Sequence, residues 1–311
     1  MSFSQQRMVR SPTGADLNLL VRQADGHPRA VIQINHGLAE HAARYDRFAD
    51  FLGARGGFSV YVHDHRGHGA TKAPDAPLGR FAHEDGPAKV IADVGAIHDL
   101  IAREQPGLPV ILFGHSMGAS VALNFLLAHS NRVHAAAIWN GNFSAGLLGQ
   151  VALGILAWER MRLGSDVPSR LLPKLTFQAW GKAVPNHRTL FDWLSRDGAE
   201  VDKYIADPLC GWDASVSMWR DVVQMALNGG RDAAFAGVRR DLSVSVVGGE
   251  KDPASDYGKG IIQLAGRMRK MGFSNLVSKV YSETRHESLN EVNRDIVMDD
   301  FAAWAETILT R

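Results

Sequence analysis

Residues 114–118 read Gly-His-Ser-Met-Gly. A serine hydroxyl is a weak nucleophile until a base removes its proton, and its attack on a carbonyl needs donors for the oxyanion that forms. Gly114 and Gly118 stand two positions either side of Ser116, where small residues let a strand and a helix approach across a sharp turn. The apolar run 110–113 predicts a strand before the serine, and the pattern over 117–128 predicts a helix after it. That context separates a nucleophile elbow from a chance pentapeptide, which arises easily in a chain with 31 glycines. An elbow lifts the hydroxyl above the sheet edge towards a helix N-terminus, where developing negative charge is favoured.

On a sheet of this kind the chain order is serine, acid, histidine. Of the 13 histidines, only His129, His134, His187 and His286 follow Ser116. His129 and His134 flank the helix and strand beside the elbow, and His187 falls in a long insertion. His286 alone sits in a loop after a late strand, so it is the expected base. The acid that orients it is expected just after a strand ending at 247, in Gly248-Gly249-Glu250-Lys251-Asp252-Pro253. Asp252 is the better candidate and Glu250 the second, and either could instead cap the loop. The oxyanion donors are expected to be the backbone N–H groups of Met117 and of Leu38, in the loop after strand 30–34.

The elements that must hold these groups alternate. Apolar residues around Ser11-Pro12-Thr13-Gly14 predict an antiparallel hairpin. Strands are then predicted at 30–34, 58–62, 110–113, 135–139, 242–247 and 276–281. Helices are predicted at 44–55, 90–105, 117–128, 261–271 and 292–309. Alternation of this kind predicts an α/β fold: a mostly parallel sheet covered on both faces, with the N-terminal hairpin antiparallel at one edge. Residues 143–228 interrupt the pattern with helical patches, no clear strand and five of the seven tryptophans. The expected organisation is a core domain from 1–142 and 229–311, with 143–228 as a helical cap.

Composition narrows the function classes. The 311 residues carry 34 basic and 33 acidic side chains, a formal charge of +1. No basic run is present, so nucleic acid is not an expected partner. Cys210 is the single cysteine, which excludes a disulfide scaffold. The first ten residues show no apolar leader pattern, and no stretch reaches the ~20 apolar residues that span a bilayer. A cytoplasmic protein is expected, with no cofactor and no resident metal.

These motifs together resemble the monoacylglycerol lipase and lysophospholipase branch of the α/β-hydrolases, also grouped as serine aminopeptidase S33-like. His36-Gly37-Leu38-Ala39-Glu40-His41 with Arg44-Tyr45 is similar to the oxyanion-loop signature of that family. Asp64-His65-Arg66-Gly67-His68-Gly69 is similar to its next loop, and Gly-His-Ser-Met-Gly matches its elbow at every position. Val201-Asp202, Tyr204 and Asp207-Pro208-Leu209 resemble a cap segment, while 249–252 and His286-Glu287 match the acid and histidine loops. The resemblance covers about residues 10–310. It implies a triad of Ser116, Asp252 and His286, oxyanion donors at Leu38 and Met117, and esters of the monoacylglycerol or lysophospholipid type as substrates, cut through an acyl-enzyme. Two departures stand out. Ala39 replaces a residue that is often glycine, and 144–195 matches weakly.

Other chemistries are open to some of these residues. His63, His65 and His68 form an H-x-H-x-x-H run suited to a metal-dependent hydrolase, although Gly67 stands where such loops carry aspartate. An aminopeptidase or another amide or ester hydrolase of the same fold is the nearest enzymatic alternative. A non-catalytic binding protein is disfavoured because all three triad candidates are present in order. Residues 146–158 hold one polar side chain, Gln150, with apolar residues all around the expected helix. Both faces should then need cover. Leu147, Leu148, Val151 and Leu156 are the expected lining of an acyl-chain pocket, or of a lid that touches a lipid surface transiently.

Overall fold

A computed structural model describes residues 2–55, 57–144 and 146–310. Its eight strands form one sheet in the order β1-β2-β4-β3-β5-β6-β7-β8. The hairpin is β1 (Gln5–Arg10) and β2 (Asp16–Arg22), antiparallel, and β2 also pairs antiparallel with β4 (Phe58–His63). All other pairings are parallel: β3 (Ala30–Asn35) with β4 and with β5 (Val110–His115), then β6 (Ala135–Trp139), β7 (Ser243–Gly249) and β8 (Leu276–Tyr281). This is the mostly parallel sheet with an antiparallel N-terminal hairpin that the alternation predicts, and the α/β-hydrolase arrangement that the resemblance implies. β1 begins earlier than the apolar pattern suggests because it is an exposed edge strand built largely from polar residues.

The central strands are buried on both faces, and period two divides their side chains. Ile111, Phe113, Ala135, Ala137 and Trp139 join one core with α1 (Asp46–Ala54) and α10 (Arg294–Leu309). Leu112, Ala136, Ile138, Val244 and Val246 point the other way. There they pack with α2 (Gly86–Glu104), α3 (Met117–His129) and α9 (Lys259–Lys270). α2 starts before the predicted position, at a turn that places Pro87 in its first positions, where a missing N–H costs nothing.

Between β6 and β7 come α4 (Leu147–Leu163), α5 (Leu172–Leu175), α6 (Phe177–Ala183), α7 (Gly198–Ala206) and α8 (Val216–Gly229). Their aromatic centre is Phe177, Trp180, Trp193 and Trp219, with ring centroids 4.9 to 5.6 Å apart. α4 differs from expectation. It is covered on one side only, where Leu156 and Glu159 are buried. Leu147, Leu148, Val151, Trp158 and Met161 are exposed. The apolar residues around this helix therefore do not mark two covered faces.

Candidate active site

The turn between β5 and α3 is tight for identifiable reasons. A Cβ on Gly114 would lie 2.2 Å from the carbonyl oxygen of Gly118, and one on Gly118 would lie 2.1 Å from that of Asn35. Backbone atoms cannot yield at those distances, so glycine is required at both positions. Ser116 sits between them at φ +57°, ψ −119°, a conformation that costs of order 1–3 kcal/mol for a residue with a Cβ. Its N–H donates to Trp139 O at 3.0 Å, which ties the elbow to the end of β6.

Asp252 and His286 come from the loops after β7 and β8. His286 Nδ1 bonds Asp252 Oδ1 at 2.9 Å, and both side chains are buried. Asp252 also accepts from Asn140 Nδ2 at 3.2 Å and from its own loop at Ala254 N, 3.0 Å. Burial pushes this carboxyl up. The charge and hydrogen bond of His286, with bonds from Asn140 and Ser255, outweigh burial and hold it below the usual carboxylate range. Glu250 lies elsewhere: it is solvent-exposed and accepts from Ser282 Oγ and Glu283 N, both at 3.1 Å, capping a turn. His286 reaches the elbow through its neighbour His115, whose ring lies 4.9 Å from its own and whose Nε2 bonds His286 O at 3.0 Å. Among the described residues, no hydrogen bond joins Ser116 Oγ to His286. Catalytic bonds of this type often tighten only once substrate is bound.

The loop after β3 is fixed by buried polar groups. His36 Nε2 accepts from His65 N at 2.9 Å, so its Nδ1 carries the proton and donates to Gly37 O at 2.8 Å. Glu40 accepts from Gly37 N, from Tyr45 Oη at 2.9 Å and from Arg44 Nη1 at 2.6 Å. Burial would raise Glu40, but His115 and Arg44 outweigh it and hold it well below the ordinary range. For His115, burial is likewise outweighed by Glu40, so it lies above the ordinary imidazole value. Arg44 also grips Glu287, the residue after His286. Among the described residues, the Leu38 and Met117 N–H groups make no hydrogen bond, so both remain free to donate. Ala39 has φ +55°, the left-handed region that favours glycine, which explains the preference for glycine at this point of the motif.

Several expected groupings do not form. Leu147, Leu148, Val151 and Leu156 do not line one surface: Leu156 is wholly buried and the other three are exposed. His63, His65 and His68 are buried, with ring centroids 4.8 Å and 6.4 Å apart in sequence, and their nitrogens do not converge as ligands. Burial pushes His63 down to about 3, and takes His65 and His68 well below the ordinary value. Among the described residues, the one trio with donor atoms within 4.8 Å of one another is His41, Asp207 and Cys210. His41 Nε2 bonds Asp207 Oδ2 at 2.9 Å, and Gly211 N donates to Ala39 O at 2.9 Å, so this trio sits where the insertion is tied to the Leu38 loop. Burial pushes the Cys210 thiol up and away from the reactive thiolate. Sequence reasoning missed Asn140, His115, Glu40 and Trp193. His115 lies inside the elbow motif and Glu40 inside the Leu38 loop motif, so a signal existed for those two. Asn140 and Trp193 carry none.

Residues 26–293 match the serine aminopeptidase S33 family. The chain belongs to that family. It is 27% identical to a monoacylglycerol lipase of Mycolicibacterium smegmatis over 90% of this chain and 89% of that protein. It is 31% identical to the human monoglyceride lipase over 59% of this chain and 53% of that protein. A thermostable carboxyl esterase from Bacillus coagulans, solved with glycerol, superposes with a TM-score of 0.89 at 22% identity over 99% of both chains. At that identity the last comparison speaks for the fold. Among the described residues, no helix is long and apolar enough to cross a membrane.

Proposed function

We propose that this member of the family is a serine hydrolase that cleaves carboxylic esters of lipid-like substrates, of the monoacylglycerol or lysophospholipid type, through an acyl-enzyme. One observation carries the proposal: a buried Asp252–His286 pair at 2.9 Å, packed through His115 against a strained serine elbow. The lipase and esterase relatives support the substrate class.

In this mechanism His286 Nε2 takes the proton as Ser116 Oγ attacks the ester carbonyl. Asp252 holds the imidazole by its other nitrogen and stabilises the cation that forms. The N–H groups of Leu38 and Met117 receive the oxyanion. Collapse breaks the C–O bond, and His286 returns its proton to the leaving alcohol. Water, deprotonated by the same histidine, then attacks the acyl-serine; the acyl–Oγ bond breaks, His286 returns the proton to Ser116 Oγ, and the fatty acid leaves. The insertion 143–228 serves as a cap over residues 1–142 and 229–311, and the exposed apolar side of α4 meets the lipid surface that presents the substrate. A cytoplasmic setting, suggested by the single cysteine, belongs to the same proposal.

The test is a substrate panel on purified protein: short esters, monoacylglycerols, lysophospholipids and aminoacyl amides, with a fluorophosphonate probe for the serine. Monoacylglycerol hydrolysis and probe labelling at Ser116 are expected. Preferential cleavage of the amides would move the assignment to an aminopeptidase, and absence of labelling would remove the serine mechanism.

A further inference from the structure

A hydrogen bond to Asp252 pins one edge of the His286 ring but leaves its tilt about that edge free. The tilt matters, because it decides where Nε2 points. The ring of His115 packs against that of His286, at 4.9 Å between centroids. The indole of Trp193 packs against the same ring, at 4.8 Å, and Trp193 belongs to the insertion between β6 and β7.

The segment that carries Trp193 is fastened to the His286 loop along its length. His286 N donates to Trp193 O at 3.3 Å, and Glu287 N to Leu194 O at 2.7 Å. Arg285 Nη1 reaches Asp192 O at 2.7 Å and Ser195 O at 3.0 Å. Ser195 Oγ donates to Asn290 O at 2.9 Å, and Arg196 pairs with Glu291 at 2.9 Å. The turn before the segment is stiffened by Asp192, which accepts from Arg188 N and Thr189 Oγ1, both at 2.6 Å. The indole is in turn fixed by Phe177, stacked at 5.4 Å, and by Trp180 at 4.9 Å. Trp193 and His286 are each only 3% exposed, so neither ring has room to swing.

We propose that Trp193 is a positioning residue, supplied by the insertion, that together with His115 sets the tilt of His286. The inference rests on the assignment of Ser116 and His286 to the chemistry. It makes the insertion part of the catalytic geometry as well as a cover for it. Misplacing a reacting group by about 1 Å costs on the order of 10²-fold in rate, so loss of one wall is expected to lower kcat by about 10- to 100-fold. KM should barely move, because the ring acts through His286.

Trp193→Leu removes the aromatic wall while keeping an apolar side chain, and Trp193→Phe keeps a ring in its place. Each is made alone, and Trp193→Leu is also made with His286→Ala; all are assayed on a short soluble ester, with folding checked by circular dichroism. Ser116→Ala and His286→Ala run alongside. If those two stay active, the triad assignment has failed, independently of Trp193. With the triad intact, the expected result is a kcat loss for Trp193→Leu with KM within about twofold, and recovery of most activity in Trp193→Phe. In the His286→Ala background, Trp193→Leu should cost nothing further, because residues that act as a unit are not additive. A raised KM with unchanged kcat, or the same fractional loss with and without His286, would overturn the proposal. Should Trp193→Leu not fold, Trp193→Phe decides: wild-type folding with kcat within a few-fold of wild type supports the wall, and a loss as large as that of His286→Ala refutes it.

Discussion

Asn140 is hydrogen-bonded to the oxygen of Asp252 that His286 does not use: its Nδ2 donates to Oδ2 at 3.2 Å, while His286 holds Oδ1. The other end of the same amide accepts from Ser288 Oγ at 3.0 Å. One side chain at the end of β6 thus joins the acid loop to the histidine loop. It sits at φ +52°, a region asparagine tolerates better than most residues.

Removing that amide should weaken the acid without deleting it. Asn140 is one of the groups that keep Asp252 ionised against its burial. Asn140→Ala leaves a buried carboxylate oxygen without a partner, which costs about 1–3 kcal/mol. If about half of that falls on the transition state, kcat drops by about two- to tenfold. Steady-state kinetics on a soluble ester check this. An unchanged kcat would reduce Asn140 to a loop tie.

The triad itself predicts a ranking. Ser116→Ala should cost on the order of 10⁶ in turnover, and His286→Ala nearly as much. Asp252→Asn should be damaging but milder, because the imidazole stays in place with its preferred tautomer reversed. Glu250→Gln should be nearly silent, since Glu250 caps an exposed turn. A Glu250 variant more damaging than the Asp252 variant would reverse the acid assignment.

The elbow glycines predict a steric failure. Gly118→Ala puts a methyl 2.1 Å from the backbone oxygen of Asn35, and Gly114→Ala puts one 2.2 Å from that of Gly118. Neither backbone can move without shifting β3 or α3, so each variant should lose activity and unfold at lower temperature. Thermal unfolding with fluorophosphonate labelling tests this. A Gly118→Ala protein with wild-type melting would mean the turn is looser than its geometry.

Buried histidines predict loss of stability in acid. His36, His63, His65 and His68 are all held below their ordinary value, mainly by burial, and His98 is pushed to about 4. A depressed value means that the unfolded chain takes up protons that the folded chain refuses. Their contribution is present above pH ~6.5 and falls as pH drops from there towards about 3. Asp221 acts in the opposite sense. Burial raises it to about 7, so the folded state binds its proton first and stability gains as pH falls between 7 and 4. His115, raised by Glu40, acts in the same sense as Asp221, while His129 and His134 are lowered like the five above, so seven groups against two leave a net loss. Urea unfolding at pH 7.5 and pH 5.5 should give the lower midpoint at pH 5.5, and equal midpoints would contradict the burial of these rings.

Local chemistry is legible in this sequence and distant contact is not. The elbow, the Leu38 loop and the positions of Asp252 and His286 could be read because each depends on residues within a few positions of a strand end. Alternating strand and helix patterns gave the sheet for the same reason. The bond from Asn140 to Asp252 spans 112 positions, and nothing near either residue announces it. Trp193 read as one aromatic among several in the insertion until the fold set it against His286. The side of α4 left exposed was also hidden. A helix apolar all around normally has neighbours all around, and here neighbours are present on one side only.

That uncovered side carries the last prediction. Leu147 and Leu148 are 78% and 87% exposed, Val151 49% and Met161 78%. Side chains in the open cannot line a pocket, so they are not expected to set acyl-chain preference. They can partition into a lipid surface, and each fully transferred large apolar side chain favours binding by about 1.5–3 kcal/mol. Among the described residues no helix is long and apolar enough to cross a bilayer, and a contact made through α4 is shallow and reversible. A Leu148→Ser protein should therefore hydrolyse a monomeric short ester at the wild-type rate. On monoacylglycerol presented in neutral phosphatidylcholine vesicles it should be slower by about tenfold, with weaker co-sedimentation. Leu156→Ser is the contrasting variant, because Leu156 is wholly buried and its loss should lower the melting temperature and both activities together. Equal rates for Leu148→Ser and wild type on vesicles would remove the lipid-facing role of α4. Equal losses on both substrates would make Leu148 a structural residue in spite of its exposure.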